Sequence, residues 1–184
     1  GHRITLVSTF PGNPPPGVEN QIVLPIAFSG AASGSQQASA ASQPNALRRL
    51  VKRFRAFFIS ARHHLGPYTI PFYRKSFVQV VRDVQPDLVH ALRIPYEGML
   101  ASYTPPGVPL VISTWGNDLT LHARSSGVMR RWTKRTLQRA DGLITDADRD
   151  IRLAPQFGFN AEHPTLNVLT SGGIDLTEIA RLRS

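Results

Sequence analysis

No cysteine occurs in the 184 residues, which rules out disulfides, thiolate metal ligands and cysteine nucleophiles but leaves the compartment open. No run approaches the roughly 18 consecutive apolar residues that a membrane-spanning helix needs. The opening GHRITLVST has neither the basic flank nor the cleavage site of a signal peptide. Also missing are a GxGxxG or Walker phosphate loop, an HExxH motif, a GxSxG elbow and any metal-spaced His/Asp cluster. Acidic residues are absent from the whole interval between Glu19 and Asp83, where nine Arg and Lys fall. That gap accounts for much of the net charge of +9. A second basic cluster comprises Arg124, Arg130, Arg131, Lys134, Arg135 and Arg139. Such surfaces attract nucleic acid, acidic lipid headgroups or nucleotide phosphates, and charge alone does not choose among them.

What is present fits one domain: the length suits a single core, and 41% apolar residues argue against global disorder. Residues 3–9 (RITLVST) and 21–26 (QIVLPI) are predicted strands, joined by the rigid proline loop FPGNPPPGV. Residues 29–44 are almost entirely Gly, Ala, Ser and Gln and read as a flexible loop within the domain, with an alanine-supported helix as the alternative. Residues 45–65 show helical periodicity: Leu47, Leu50, Val51, Phe54, Phe57 and Phe58 recur opposite Arg48, Arg49, Lys52, Arg53 and Arg55. Gly66-Pro67 ends that run, and a further helix is expected over 71–84.

A rhythm follows. Short apolar strands at 88–90, 110–112, 143–145 and 166–169 alternate with helices expected at about 95–103, 126–140 and 148–157. This is the pattern of crossover units on a mainly parallel sheet, so the fold class is α/β, a three-layer Rossmann-like domain with helices on both faces. In such sheets ligands bind beyond the carboxyl ends of the strands.

Three post-strand segments hold the candidate site. After the strand at 88–90 come His90, Arg93, Tyr96 and Glu97; after 110–112 come Trp115, Gly116, Asn117 and Asp118, with His122 close behind; after 166–169 come Gly172 and Gly173. His90 is a candidate acid–base or ligand group, or a loop-holding histidine. Arg93 can grip a phosphate or carboxylate bidentately, or stay solvated. Glu97 suits sugar hydroxyls or the first turn of a helix. Trp115 offers a flat apolar face for a sugar or base, or a core side chain, and Asn117 and Asp118 offer the mixed donors and acceptors that hydroxyl-rich ligands need. Asp118 is equally a helix-capping residue. Gly172-Gly173 can leave amides open to an anion, bend the chain, or simply turn. The basic helix has three possible roles: lying on an anionic membrane through Arg48, Arg49, Lys52, Arg53 and Arg55, packing on the sheet, or contacting nucleic acid, for which no fold signature is present.

Five stretches, GHRITLVSTFPG, QPDLVHALRIPYEG, VPLVISTWGNDLTLHA, RRWTKRTLQRADGLITDADRD and LTSGGIDL, together resemble the amino-terminal domain of glycosyltransferase family 4, in the family's order and across nearly the whole chain. The resemblance implies the amino-terminal half of a GT-B fold, in an enzyme that moves a sugar from a nucleotide donor with retention of configuration. It implies that residues 1–184 form an incomplete acceptor-side domain. The family's first strand and glycine-rich loop would precede GHRITLVST, and the donor domain, with its pair of glutamates, would follow LTSGGIDL. Trp115 stands where many members carry a histidine near the reacting sugar, which leaves the catalytic group unassigned, with His90 and Asp118 as candidates.

The expected activity is therefore retaining transfer from a nucleotide sugar, the co-substrate, to a glycan or lipid-linked hydroxyl acceptor, with no metal or other cofactor. This stretch alone is expected to be inactive. The expected location is the cytoplasm, peripheral on the inner face of the membrane, and exposed sheet edges would favour a homodimer or domain swap. Two rivals stand beside this reading: a noncatalytic Rossmann-like binding or assembly domain, and a fragment of a GT-B nucleotide-sugar epimerase.

Overall fold

The structure is a computed structural model that describes residues 1–9, 12–26 and 65–168. Ten elements organise them: β1 (Thr5–Ser8), β2 (Asn20–Val23), α1 (Ile70–Val84), β3 (Val89–Ala91), α2 (Met99–Ala101), β4 (Leu110–Ser113), α3 (Gly127–Arg139), β5 (Gly142–Thr145), α4 (Asp148–Leu153) and β6 (Thr165–Asn167). The loop predicted at 29–44, most of the basic helix at 45–65 and Gly172-Gly173 lie outside the described residues.

The strands form two parallel sheets, β1-β2 and β3-β4-β5-β6; the larger has the parallel pairing that the alternating pattern predicts, while β1 and β2 stand as a separate pair instead of joining a single sheet. Each strand of the larger sheet pairs with its predecessor in the chain, and right-handed crossovers then bring the intervening helices to one side. There α1 packs on α2 and α2 on α3, and α3 meets the turn Ala154–Phe157 that follows α4. β4 and β5 are the deeply set strands: Leu110 and Ile112 are fully buried in β4, and Leu143 and Thr145 nearly so in β5. β6 is exposed throughout and forms an edge.

β1 and β2 depart from the usual parallel unit because no helix joins them. The proline-rich segment makes the return instead. Proline-rich chain travels about 3.1 Å per residue, so a few such residues recross the length of a four-residue strand. Leu24 and Ile26, just after β2, enter the same core as the larger sheet.

The helix expected at 95–103 forms only in part. Arg93 is extended, and the wide turn Ile94–Gly98 has non-helical backbone at Pro95 and Tyr96 before the single turn of α2. Tyr96 sits at φ 66°, ψ −60°, a region that costs a non-glycine residue roughly 1–3 kcal/mol. The turn closes through the Gly98 amide, which donates to the Arg93 carbonyl at 2.8 Å. A Cβ at position 98 would lie 2.6 Å from that carbonyl oxygen, so only glycine fits. Periodicity alone misreads this stretch, because its buried apolar residues (Ile94, Pro95, Tyr96, Met99, Leu100) are spaced as in a helix.

Part of the second basic cluster is structural. Arg135 lies over the rings of Tyr103 (4.4 Å) and Trp132 (5.5 Å). Arg139 donates to the carbonyls of Thr104, Pro105 and Val108 and to the carboxylate of Asp141, fastening the loop that enters β4.

Candidate functional site

Three loops at the carboxyl edge of the larger sheet are tied into one unit, and Asp118 is the principal knot. It is fully buried. Its Oδ1 accepts from Arg93 Nη2 at 3.2 Å, and its Oδ2 accepts from the amides of Ile94 (3.1 Å) and Trp115 (3.3 Å). The loop after β3 is thereby fixed to the loop after β4. An asparagine here could accept from only some of these donors, because its amide nitrogen would face a donor in turn. Asp118 does not cap the next helix; Ser126 caps α3, its hydroxyl accepting from Met129 N.

The second tie runs to the loop after β5. The carboxylate of Asp146 accepts the Gly116 amide at 3.1 and 3.3 Å, and Arg149 at the start of α4 donates to the Gly116 carbonyl. Gly116 has φ +27°, a backbone setting that suits glycine. Arg149 also pairs with the buried Asp150 at 3.0 Å.

The candidate residues fall into two groups. Exposed toward solvent are Trp115 and Asn117, with the Arg93 side chain 43% exposed above its buried partner. His90 Nε2 lies 2.8 Å from Ser113 Oγ on the neighbouring strand, and burial lowers its pKa, so the imidazole is neutral at pH 7. Burial also lowers the pKa of His122; the Asp118 charge works against that shift and the Arg93 charge with it. Held within the scaffold are Tyr96, buried in the wide turn, and Glu97, whose Oε1 accepts from the Thr9 hydroxyl at 3.0 Å. Glu97 thus joins the end of β1 to the turn after β3. A surface hollow of about 530 Å³, lined by Arg124, Ser126, Gly127, Arg130, Gln156 and Phe157, involves none of these candidates. Among the described residues no group of three His, Asp or Glu is arranged to hold a metal ion.

A parallel α/β sheet with its polar and strained residues gathered beyond the strand ends agrees with what comparison with known families finds. The model of the glycosyl transferase 4-like domain matches residues 1–167. The chain belongs to that family. It carries a glycosyltransferase domain with the fold of a Rossmann-like GT-B half. No curated protein and no solved structure shows detectable similarity to it.

Three side chains tied into this edge, Ser113, Asp146 and Arg149, belong to no motif of their own. Asp146 had a usable signal, since it directly follows β5 and therefore sits on the same edge as the other post-strand residues. Arg149 had none, because an arginine in the first turn of a helix ordinarily reads as a solvated surface residue. The membrane-facing candidates Arg48, Arg49, Lys52, Arg53 and Arg55, like Gly172 and Gly173, lie outside the described residues.

Proposed function

We propose that this domain supplies the acceptor side of a retaining glycosyltransferase, which moves a sugar from a nucleotide-sugar donor to a hydroxyl of a glycan or lipid-linked saccharide. The observation that carries the reading is the convergence of the post-β3, post-β4 and post-β5 loops on Trp115, Asn117 and Arg93. Together they give one aromatic face, one amide and one cation at a single sheet edge. In the complete enzyme a donor-binding partner domain would close over this edge. Transfer would then require stabilisation of an oxocarbenium-like transition state and of the departing diphosphate. His90, neutral and already hydrogen-bonded to Ser113, is the proposed group for handling the acceptor proton. Asp118 is proposed to hold the site rather than to react, because both of its oxygens are committed to donors. No metal is invoked.

A peripheral place on the inner face of an anionic membrane is part of the proposal. Leu65 and Tyr68, just before α1, and Phe72, in its first turn, are 55%, 60% and 83% exposed, and they stand at the end of the basic stretch and immediately after it. Among the described residues no helix is long and apolar enough to cross a membrane.

The test is transfer by the full-length protein from a panel of nucleotide sugars, with the anomeric configuration of the product read by NMR. Retention is expected. Inversion, or donor epimerisation without transfer, would overturn the mechanism. Co-sedimentation with anionic but not neutral vesicles is expected for the membrane contact, and equal binding to both would remove it.

A further inference from the structure

We infer that Trp115 is a preorganised stacking platform for one pyranose ring, a subsite built before any ligand arrives. The inference deepens the acceptor-side reading by naming what touches the indole, and it does not depend on catalysis.

The first observation is exposure in an unlikely place. Trp115 follows a strand whose residues are almost all buried, and its neighbour Thr114 is only 2% exposed, yet the indole is 55% exposed. The chain's other tryptophan, Trp132, is half-buried and meets Tyr103 edge to face at 6.0 Å with Arg135 over its ring. Trp115 has no ring or cation partner among the described residues.

The second observation is how firmly the backbone beneath that indole is held. Thr114 N donates to the Ile144 carbonyl at 2.9 Å, and Trp115 N donates to Asp118 Oδ2 at 3.3 Å. The Trp115 carbonyl accepts from Asp118 N at 2.9 Å. Gly116 N donates to Asp146, and its carbonyl accepts from Arg149. Every backbone group from the Thr114 amide to the Gly116 carbonyl is bonded, apart from the Thr114 carbonyl. The partners come from β5, from Asp118, from the loop after β5 and from α4. A solvated aromatic on a floppy loop would have both its backbone and its side chain to order on binding. Here the backbone part of that ordering is complete in the free protein.

The third observation is the polar group beside the ring. Asn117 is exposed, and among the described residues its side-chain amide has no partner. A flat apolar face with one donor and one acceptor at its rim matches a pyranose, which presents a C–H face and vicinal hydroxyls. A nucleobase would also stack, so the test separates the two.

The experiment uses the 184-residue chain carrying Trp132→Phe, in which Trp115 is the remaining tryptophan of this stretch. Methyl α-glucopyranoside, α-galactopyranoside and α-mannopyranoside are titrated while indole emission is followed, and UMP and GMP are titrated in parallel. Saturation-transfer NMR on the unsubstituted protein then identifies the sugar protons in contact. The expected result is a saturable emission change with at least one glycoside, with saturation strongest on one C–H face. Trp115→Ala should weaken binding by about tenfold or more, and Trp115→Phe by only a few-fold. Asp118→Asn should weaken binding while the indole remains, which a freely exposed tryptophan would not show. The proposal is overturned if no glycoside binds, if Trp115→Ala binds as well as the parent, or if only the mononucleotides respond. Sugar binding without transfer by the full-length protein would sink the transferase reading and leave the platform standing. Transfer unaffected by Trp115→Ala would do the reverse.

Discussion

Two arginine–aspartate pairs sit at opposite ends of the larger sheet and are built in opposite ways. At the amino end, Arg139 is the more enclosed partner, 22% exposed, against 48% for Asp141. Its guanidinium gives most of its donors to backbone carbonyls, while Asp141 Oδ2 also accepts the Leu110 amide at 2.8 Å. At the carboxyl end the carboxylate is the enclosed partner: Asp118 is 0% exposed and Arg93 is 43% exposed. There the acid gathers backbone amides and the cation faces outward. An arginine buried among carbonyls closes a loop. An aspartate buried among amides holds a loop open with a charged donor left on its surface. Which member of the pair is hidden separates the end that closes a loop from the end that carries the proposed binding surface.

Breaking each pair tests that distinction. The largest effect is expected for Asp118→Ala, which leaves the buried Ile94 amide, the Trp115 amide and Arg93 without their acceptor. A loss of about 3 kcal/mol in denaturant unfolding is expected, together with loss of ligand binding at the cleft. Arg139→Ala should cost about 2 kcal/mol, because carbonyls near the surface can be rehydrated in part. Glycoside affinity measured below its unfolding transition should be unchanged, and a parallel loss of affinity would refute the division of roles. Arg93→Gln should shift stability by less than about 1 kcal/mol, since a half-exposed ion pair contributes little. Its signature is weaker binding of anionic ligands, read by calorimetry.

The two ends should also respond in different pH windows. His90 and His122 have pKa values below 6.5 in the folded chain. As pH falls through about 6.5 the unfolded chain takes up their protons first, so stability declines until the folded imidazoles titrate as well. His90→Gln should flatten that decline in pH-dependent melting. At the amino end, burial works to raise the Asp141 pKa, but the Leu110 amide and the Arg139 guanidinium outweigh it and hold the carboxyl below its ordinary value. Its contribution is in place above about pH 3.8 and is lost as pH falls through the lower folded value. Asp141→Asn is therefore expected to have the smallest effect, a loss of less than about 1 kcal/mol at pH 7 that closes on the acid limb of the curve, where the parent loses the same contribution.

The strands of this fold were legible because alternation of short apolar runs with turn residues is a local property. Val89, Leu110 and Leu143 each announce a strand within a few residues. The candidate site is read as a location from the rule that places ligands beyond strand ends, and the structure sets Trp115 and Arg93 partly exposed at that edge. The division of labour was not legible. Nothing local distinguishes an Asp118 that contacts ligand from one that collects the amides of Ile94 and Trp115 across 24 and 3 positions of chain. The wide turn at Ile94–Gly98 was hidden for another reason. Its apolar spacing imitates a helix, and the deciding fact, the close approach of Gly98 to the Arg93 carbonyl, exists only in three dimensions.

The sequential order of β3, β4, β5 and β6 has a consequence for how the protein is made. Each new strand docks on the one that emerged just before it, so loop closures are short and no pairing waits for a distant segment. On a ribosome this half of the domain can accrete strand by strand, always leaving the newest edge open. The knot at Asp118 has all its partners once the residues just after β4 have been made. The clasp from Asp146 and Arg149 needs one crossover more, so this edge of the cleft cannot be complete before α4 begins.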